Sequence, residues 1–241
     1  MKVLTFPDAR QCTPDMCGVA ATQAVLYYYG IAIIQSKLVE LMEMDAEVGV
    51  EPEQIVKIFK DRDFEVDFKA MTIEDLKAYI DKGIPVILLI NAWAADYPVD
   101  YTDIDEEGHY VVAMGYDDEN RQFIFDDPSF LENRGYIGYD ELLTRWKMWA
   151  SDDKTILHNY GIAVYGRKPL FNPNRIIHID GSAKALPRRS VAIRGGTEAR
   201  VGGKPHGGHP ERVGAFLAFQ EASRRVASEW LRRMKKRADA D

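Results

Sequence analysis

The chain has little cysteine, two residues in 241, and these two, Cys12 and Cys17, lie five positions apart. They cannot build a disulfide framework, so the fold must rest on a packed core, and reducing surroundings suit it best. Histidine is scarce as well. Of five, His158 and His178 lack partners at ligand spacing, and His206 with His209 falls in a glycine-rich stretch, so neither a metal nor another cofactor is expected. No apolar run approaches the roughly 20 residues of a membrane helix; the longest, Ile84 to Ala95, is broken by Pro85 and Asn91. Met1 to Arg10 carries Pro7 and Asp8 where a signal peptide would be apolar. A Gly-x-x-x-x-Gly-Lys-Ser/Thr phosphate loop is missing too. Together these absences predict a soluble, cytoplasmic protein.

What is present is ordinary in amount and uneven in place. Hydrophobic residues make up 46% and charged residues 29%, enough for a sizeable core. The formal net charge of -7 hides an asymmetry: residues 181–241 carry 14 Lys and Arg against 6 Asp and Glu, a net +8, leaving -15 for residues 1–180. An acidic body repels a phosphate backbone, so the protein as a whole is not a nucleic-acid binder. Only the basic tail offers an acidic surface a partner, whether the protein's own body, a lipid surface or another macromolecule.

Periodicity divides the chain into three parts. Gly18 to Tyr29 is apolar nearly all round and stopped by Gly30, which predicts a buried helix. Ser36 is expected to cap a second helix to Met44, and Pro52 opens a third with Ile55, Val56, Ile58 and Phe59 on its apolar face. Phe64, Val66 and Phe68 alternate with charged residues as in a strand, Thr72 caps a short helix, and Pro85 to Ile90 reads as a central strand. Asn91 to Gly108 reads as an exposed acidic loop. A hairpin follows, His109 to Tyr116 and Gln122 to Asp126, then a helix from Tyr139 to Trp149 and a last strand from Tyr160 to Tyr165. Helices first and an antiparallel sheet later argue for an α+β fold. Residues 1–170 form the expected domain, 171–210 a Gly/Pro-rich flexible linker, and 211–241 a basic amphipathic helical tail.

Chemistry concentrates at three points. Cys17 directly precedes the buried helix, where unpaired N–H groups and the positive end of the helix dipole favour a thiolate. Gly18 leaves space beside the sulfur for a substrate backbone, and Gln11, six residues upstream, has an amide N–H for an oxyanion. A nucleophilic thiol needs a base and the base an orienting acceptor; His109 opens one hairpin strand while Asp126 and Asp127 end the other. Cys12, followed by Thr13-Pro14 and away from the helix start, reads as a packed side chain. Trp93 and Tyr97 in the acidic loop are candidates for lining a cleft.

The segment from Gln11 through Cys17-Gly18, with Tyr29-Gly30 ending the helix, the run Gly108-His109-Tyr-Val-Val-Ala-Met-Gly-Tyr, and Asp127-Pro128-Ser129 together resemble the motifs of the bacteriocin-processing, double-glycine leader peptidases of the papain-like clan. The resemblance covers about residues 5–168. It implies a papain-like α+β fold, with N-terminal helices packed on an antiparallel sheet, and thiol-dependent hydrolysis of peptide or amide bonds. In that pattern Cys17 is the nucleophile, His109 the base, Asp127 before proline the orienter and Gln11 the oxyanion donor, with a peptide or protein as substrate. Lacking a transporter's membrane segments and phosphate loop, the chain resembles the free-standing members. The alternatives are an acyl transferase using the same residues, or a papain-like module that binds a peptide or partner without cleaving it.

Overall fold

The computed structural model describes residues 1–45, 49–92, 101–103, 108–130, 134–149 and 156–176, all within the first of the chain's two units, Met1–Arg188. The elements run β1 (Lys2–Val3), α1 (Cys17–Tyr28), α2 (Gln35–Met42), α3 (Pro52–Lys60), β2 (Glu65–Ala70), α4 (Ile73–Asp81) and β3 (Val86–Asn91). After a 3-10 turn at Tyr101–Asp103 come β4 (Gly108–Asp117), β5 (Gln122–Asp126), β6 (Arg134–Gly138), α5 (Tyr139–Arg145), β7 (Lys147–Trp149), β8 (Ile156–His158) and β9 (Tyr160–Tyr165). The expected linker beyond 176, the helical tail, and Trp93 and Tyr97 lie outside the described residues.

An antiparallel sheet in the order β2-β9-β3-β4-β5-β6, with β1 added against β4, forms the middle layer. Strand alternation sends its side chains into two separate cores. Ile87, Tyr110, Val112, Met114, Ile162 and Val164 point to one face, where they meet α1, α2 and α3; Val86, Leu88, Ile90, Val111, Ala113 and Ala163 point to the other, with α4 and α5. The N-terminal helices therefore pack on an antiparallel sheet, as the sequence predicts. Val19, Ala20, Ala21, Ala24, Val25 and Leu26 of α1 are wholly buried, which is why that helix carries no polar face.

Local chemistry sets the helix ends. Gly30 takes φ +81°, and the N–H groups of Gly30 and Ile31 return to the carbonyls of Tyr27 and Leu26, a Schellman ending that needs a residue free of left-handed strain. Glu51 and Gln54 form a capping box ahead of Pro52, and Thr72 with Asp75 forms another for α4.

Two expectations fail. Helix α2 begins at Gln35 with Ile34 as N-cap, and Ser36 caps nothing. The helix from Tyr139 ends at Arg145 instead of Trp149, and residues 147–149 pair as a strand with 156–158. Tertiary hydrogen bonds override the helical spacing there: the Trp146 indole N–H donates to the Tyr160 carbonyl at 2.7 Å, and the Asn159 N–H donates to the Trp146 carbonyl at 2.9 Å. Among the described residues no helix is long and apolar enough to cross a membrane.

Candidate active site

Helix α1 presents Cys17 as its first residue, half-buried, with Met16 as N-cap and no side chain capping the first turn. The N–H groups of that turn are thus left to whatever approaches the sulfur. Gly18 is needed for a different reason from the one its position suggests. A Cβ there would stand 2.9 Å from Cδ2 and 3.1 Å from Cε2 of Tyr110, so the space beside Gly18 is filled by the Tyr110 ring and is not open to a substrate. Tyr110 is fixed in turn, its hydroxyl donating to the Val50 carbonyl at 3.0 Å. This packing ties the strand residue next to His109 to the helix residue next to Cys17.

His109 is buried on β4, and its Nε2–H donates to Asp127 Oδ1 at 2.7 Å. Burial lowers the imidazole's pKa, but the hydrogen bond and charge of Asp127 and the nearby Cys17 together outweigh burial, and the ring is pushed up to about 9. With Nε2 on Asp127, a proton exchanged with the neighbouring Cys17 would pass through Nδ1. Burial likewise pushes the Asp127 carboxyl up; the hydrogen bond and charge of His109 and two donors from Ser129 bring it below its ordinary value.

Strand register explains why Asp127 and not Asp126 meets the histidine. Val112 pairs with Asp126 across β4 and β5, so Asp126 shares the face of Tyr110 and Val112. Continuing the register by one residue sets Asp127 opposite Val111, on the side His109 shares. Asp126 is fully buried, and neither carboxyl oxygen has a hydrogen-bond partner. Burial above all, with the charges of Asp8 and Asp127 adding and that of Arg134 opposing, pushes it up to about 8.

Gln11 sits in the loop ahead of α1, its amide facing that loop's own backbone. Its Nε2 donates to the carbonyls of Thr13 at 3.0 Å and Pro14 at 2.9 Å, while its backbone N–H donates to the Pro128 carbonyl at 3.1 Å. The loop is bound to the Asp127-Pro128 turn on one side and to α2 on the other, where the buried Gln35 side chain accepts from the Cys12 N–H and donates to the Arg10 carbonyl. Cys12 itself is exposed, not packed as its sequence context suggests. Sequence reasoning misses Gln35, which carries no local signal, and Ser129, whose place two residues after an aspartate is an Asx-turn signal.

Behind the site, Arg145 holds the root of the acidic loop. Its Nε donates to the Asn91 carbonyl at 2.7 Å, and its guanidinium lies 4.4 Å from the centre of the Tyr101 ring. No group of three His, Cys, Asp or Glu among the described residues could hold a metal.

A model of the Peptidase C39-like family matches residues 3–153. No curated protein matches the chain. Among solved structures, the chain is similar to a C39-like peptidase from Bacillus anthracis at 18% identity, covering 69% of this chain and 98% of that one with a TM-score of 0.53. It also resembles the peptidase domain of Streptococcus ComA, a bi-functional ABC transporter involved in quorum sensing, at 20% identity over 68% of this chain and 97% of that one, TM-score 0.49. A double-glycine-motif protease from a PCAT transporter, solved with its leader peptide, is 15% identical over 70% and 95% of the two chains, TM-score 0.48.

Proposed function

Since the chain belongs to the Peptidase C39-like family, we propose that it is an active cysteine peptidase in which Cys17 is the nucleophile, His109 the acid and base, and Asp127 the orienter. The observation that carries this reading is the buried imidazole held by Asp127 through Nε2 at 2.7 Å, with Cys17 near enough to join Asp127 in pushing the ring up to about 9. Cys17 attacks the carbonyl of a peptide bond, His109 delivers its proton to the departing amine, and water, deprotonated by His109, releases the acyl group from sulfur. Asp127 holds the ring so that Nδ1 faces the thiol and offsets the imidazolium charge. The open first turn of α1 directs the Cys17 N–H at the carbonyl oxygen as negative charge develops. Gln11 supplies the second donor by trading one of its two carbonyl partners for the oxyanion.

The test is covalent trapping. A peptide bearing an electrophilic carbonyl, incubated with the full chain and mapped by mass spectrometry, is expected to label Cys17 and leave Cys12 free, with Cys17→Ser abolishing both the adduct and peptide hydrolysis. Labelling confined to Cys12, or hydrolysis surviving in Cys17→Ser, overturns the reading.

A further inference from the structure

Asp127 is not held by His109 alone. Its Oδ1 accepts three hydrogen bonds: from His109 Nε2 at 2.7 Å, from the Ser129 backbone N–H at 2.9 Å and from the Ser129 hydroxyl at 2.7 Å. The last two come from one residue, because Pro128 fixes its own φ and folds the chain so that position i+2 returns both donors to the carboxylate. The turn continues with the Phe130 N–H on the Asp127 carbonyl at 3.2 Å, and its Pro128 carbonyl accepts the Gln11 N–H, so the carboxylate sits in a frame joined to the loop that leads into Cys17.

The preceding residue shows what the frame achieves. Asp126 is also an aspartate, also buried, and one position away on the chain, but it receives no hydrogen bond, and burial holds it in the neutral form through neutral pH. Asp127 is nearly as enclosed, its side chain 13% exposed, and is ionised. The difference lies in the donors, and two of the three belong to Ser129.

We propose that Ser129 is a positioning residue, its hydroxyl and N–H together holding the Asp127 carboxylate turned toward His109. This rests on reading Asp127 as the orienter. Ser129 touches no reacting atom and acts only through Asp127.

The experiment follows the low-field Nε2–H proton resonance of His109 by NMR as pH is lowered, in the full-length wild type and in Ser129→Ala, Ser129→Thr and Asp127→Ala, alongside the iodoacetamide alkylation rate of Cys17. Loss of a charge-assisted hydrogen bond in Ser129→Ala is expected to raise by about one unit the pH at which the resonance disappears. The acid limb of the alkylation profile moves with it, and Ser129→Thr, which keeps the hydroxyl, restores both. If Ser129→Ala matches wild type while Asp127→Ala loses the resonance, Ser129 has no positioning role although the orienter reading stands. Ser129→Thr behaving like alanine also overturns the proposal, since bulk and not the hydroxyl would then matter. A resonance that persists in Asp127→Ala overturns the orienter reading and this proposal with it.

Discussion

Replacing Asp126 with asparagine is expected to flatten the protein's stability against pH. The side chain is fully buried, has no hydrogen-bond partner on either oxygen and keeps its proton up to about pH 8 when folded, whereas an unfolded aspartate gives up its proton near 4. For an acid whose folded value is raised, the folded state binds the extra proton between those two limits. Stability is therefore greatest below about 4 and is lost as pH rises toward 8. One proton of difference costs about 1.4 kcal/mol per pH unit, or roughly 3 kcal/mol between pH 5 and 7, a large share of the 5–15 kcal/mol that holds a typical domain together. Asparagine is nearly the same size and does not titrate, so its own burial cost is independent of pH. His109 also has a raised folded value, and its pairing is fully present below about 6.5 and lost as pH rises through about 9; that contribution is common to both proteins and cancels in the difference. Urea unfolding at pH 5, 6, 7 and 8 should show the variant gaining on wild type by more than 1 kcal/mol per unit over the middle of the range, with hydrolysis nearly unchanged. Parallel stability curves would show that Asp126 is ionised in the folded protein, and the account of its burial would be wrong.

Two other substitutions separate packing from chemistry. Gly18→Ala forces a methyl to 2.9 Å from the anchored Tyr110 ring; overpacking of this kind costs about 1–3 kcal/mol, and a lower melting temperature should accompany slower Cys17 alkylation because His109 moves with its neighbour. A melting temperature and alkylation rate equal to wild type would mean the ring yields freely. Gln11→Ala should slow acylation by a carbonyl electrophile by about 10²-fold, while iodoacetamide alkylation, which develops no oxyanion, stays within a few-fold. An equal fall in both rates would reduce Gln11 to an anchor for its loop.

What was legible in the sequence follows from how local each signal is. The buried helix shows in its uninterrupted apolar run and in Gly30, and the β4–β5 hairpin shows in its alternation around Asp117-Asp118-Glu119-Asn120, which brings the His109 and Asp127 ends together. Strand β6, Arg-Gly-Tyr-Ile-Gly, has two glycines and one buried side chain, Ile137, so no alternation betrays it. Strands β7 and β8 are three residues each, below the length at which a period can be read. Trp146 stands at helical spacing from Leu142, and its contacts with residues 159 and 160, with the strand pairing that follows, end the helix before it. The two aspartates could have been told apart from parity along the hairpin, given the register. Gln11's engagement with Thr13 and Pro14 depends on the path of its own loop, which no pattern of residue types records.

The stretch after β9 turns back to α1. The N–H groups of Leu170 and Phe171 both donate to the Tyr28 carbonyl, at 3.0 and 3.1 Å, and the Leu170 side chain fills the space that glycine leaves at position 30. Cys17 lies at the opposite end of the same helix, eleven residues away, or about 17 Å at 1.5 Å per residue. The nucleophile thus rides on a beam secured at both ends by distant parts of the chain, the Gln11 loop at the near end and residues 170–171 at the far one. A chain trimmed after Tyr165 would keep every residue of the site and still lose one of the beam's far mountings, leaving that end to the Tyr28 and Tyr29 hydroxyls on the Gly83 and Val164 carbonyls.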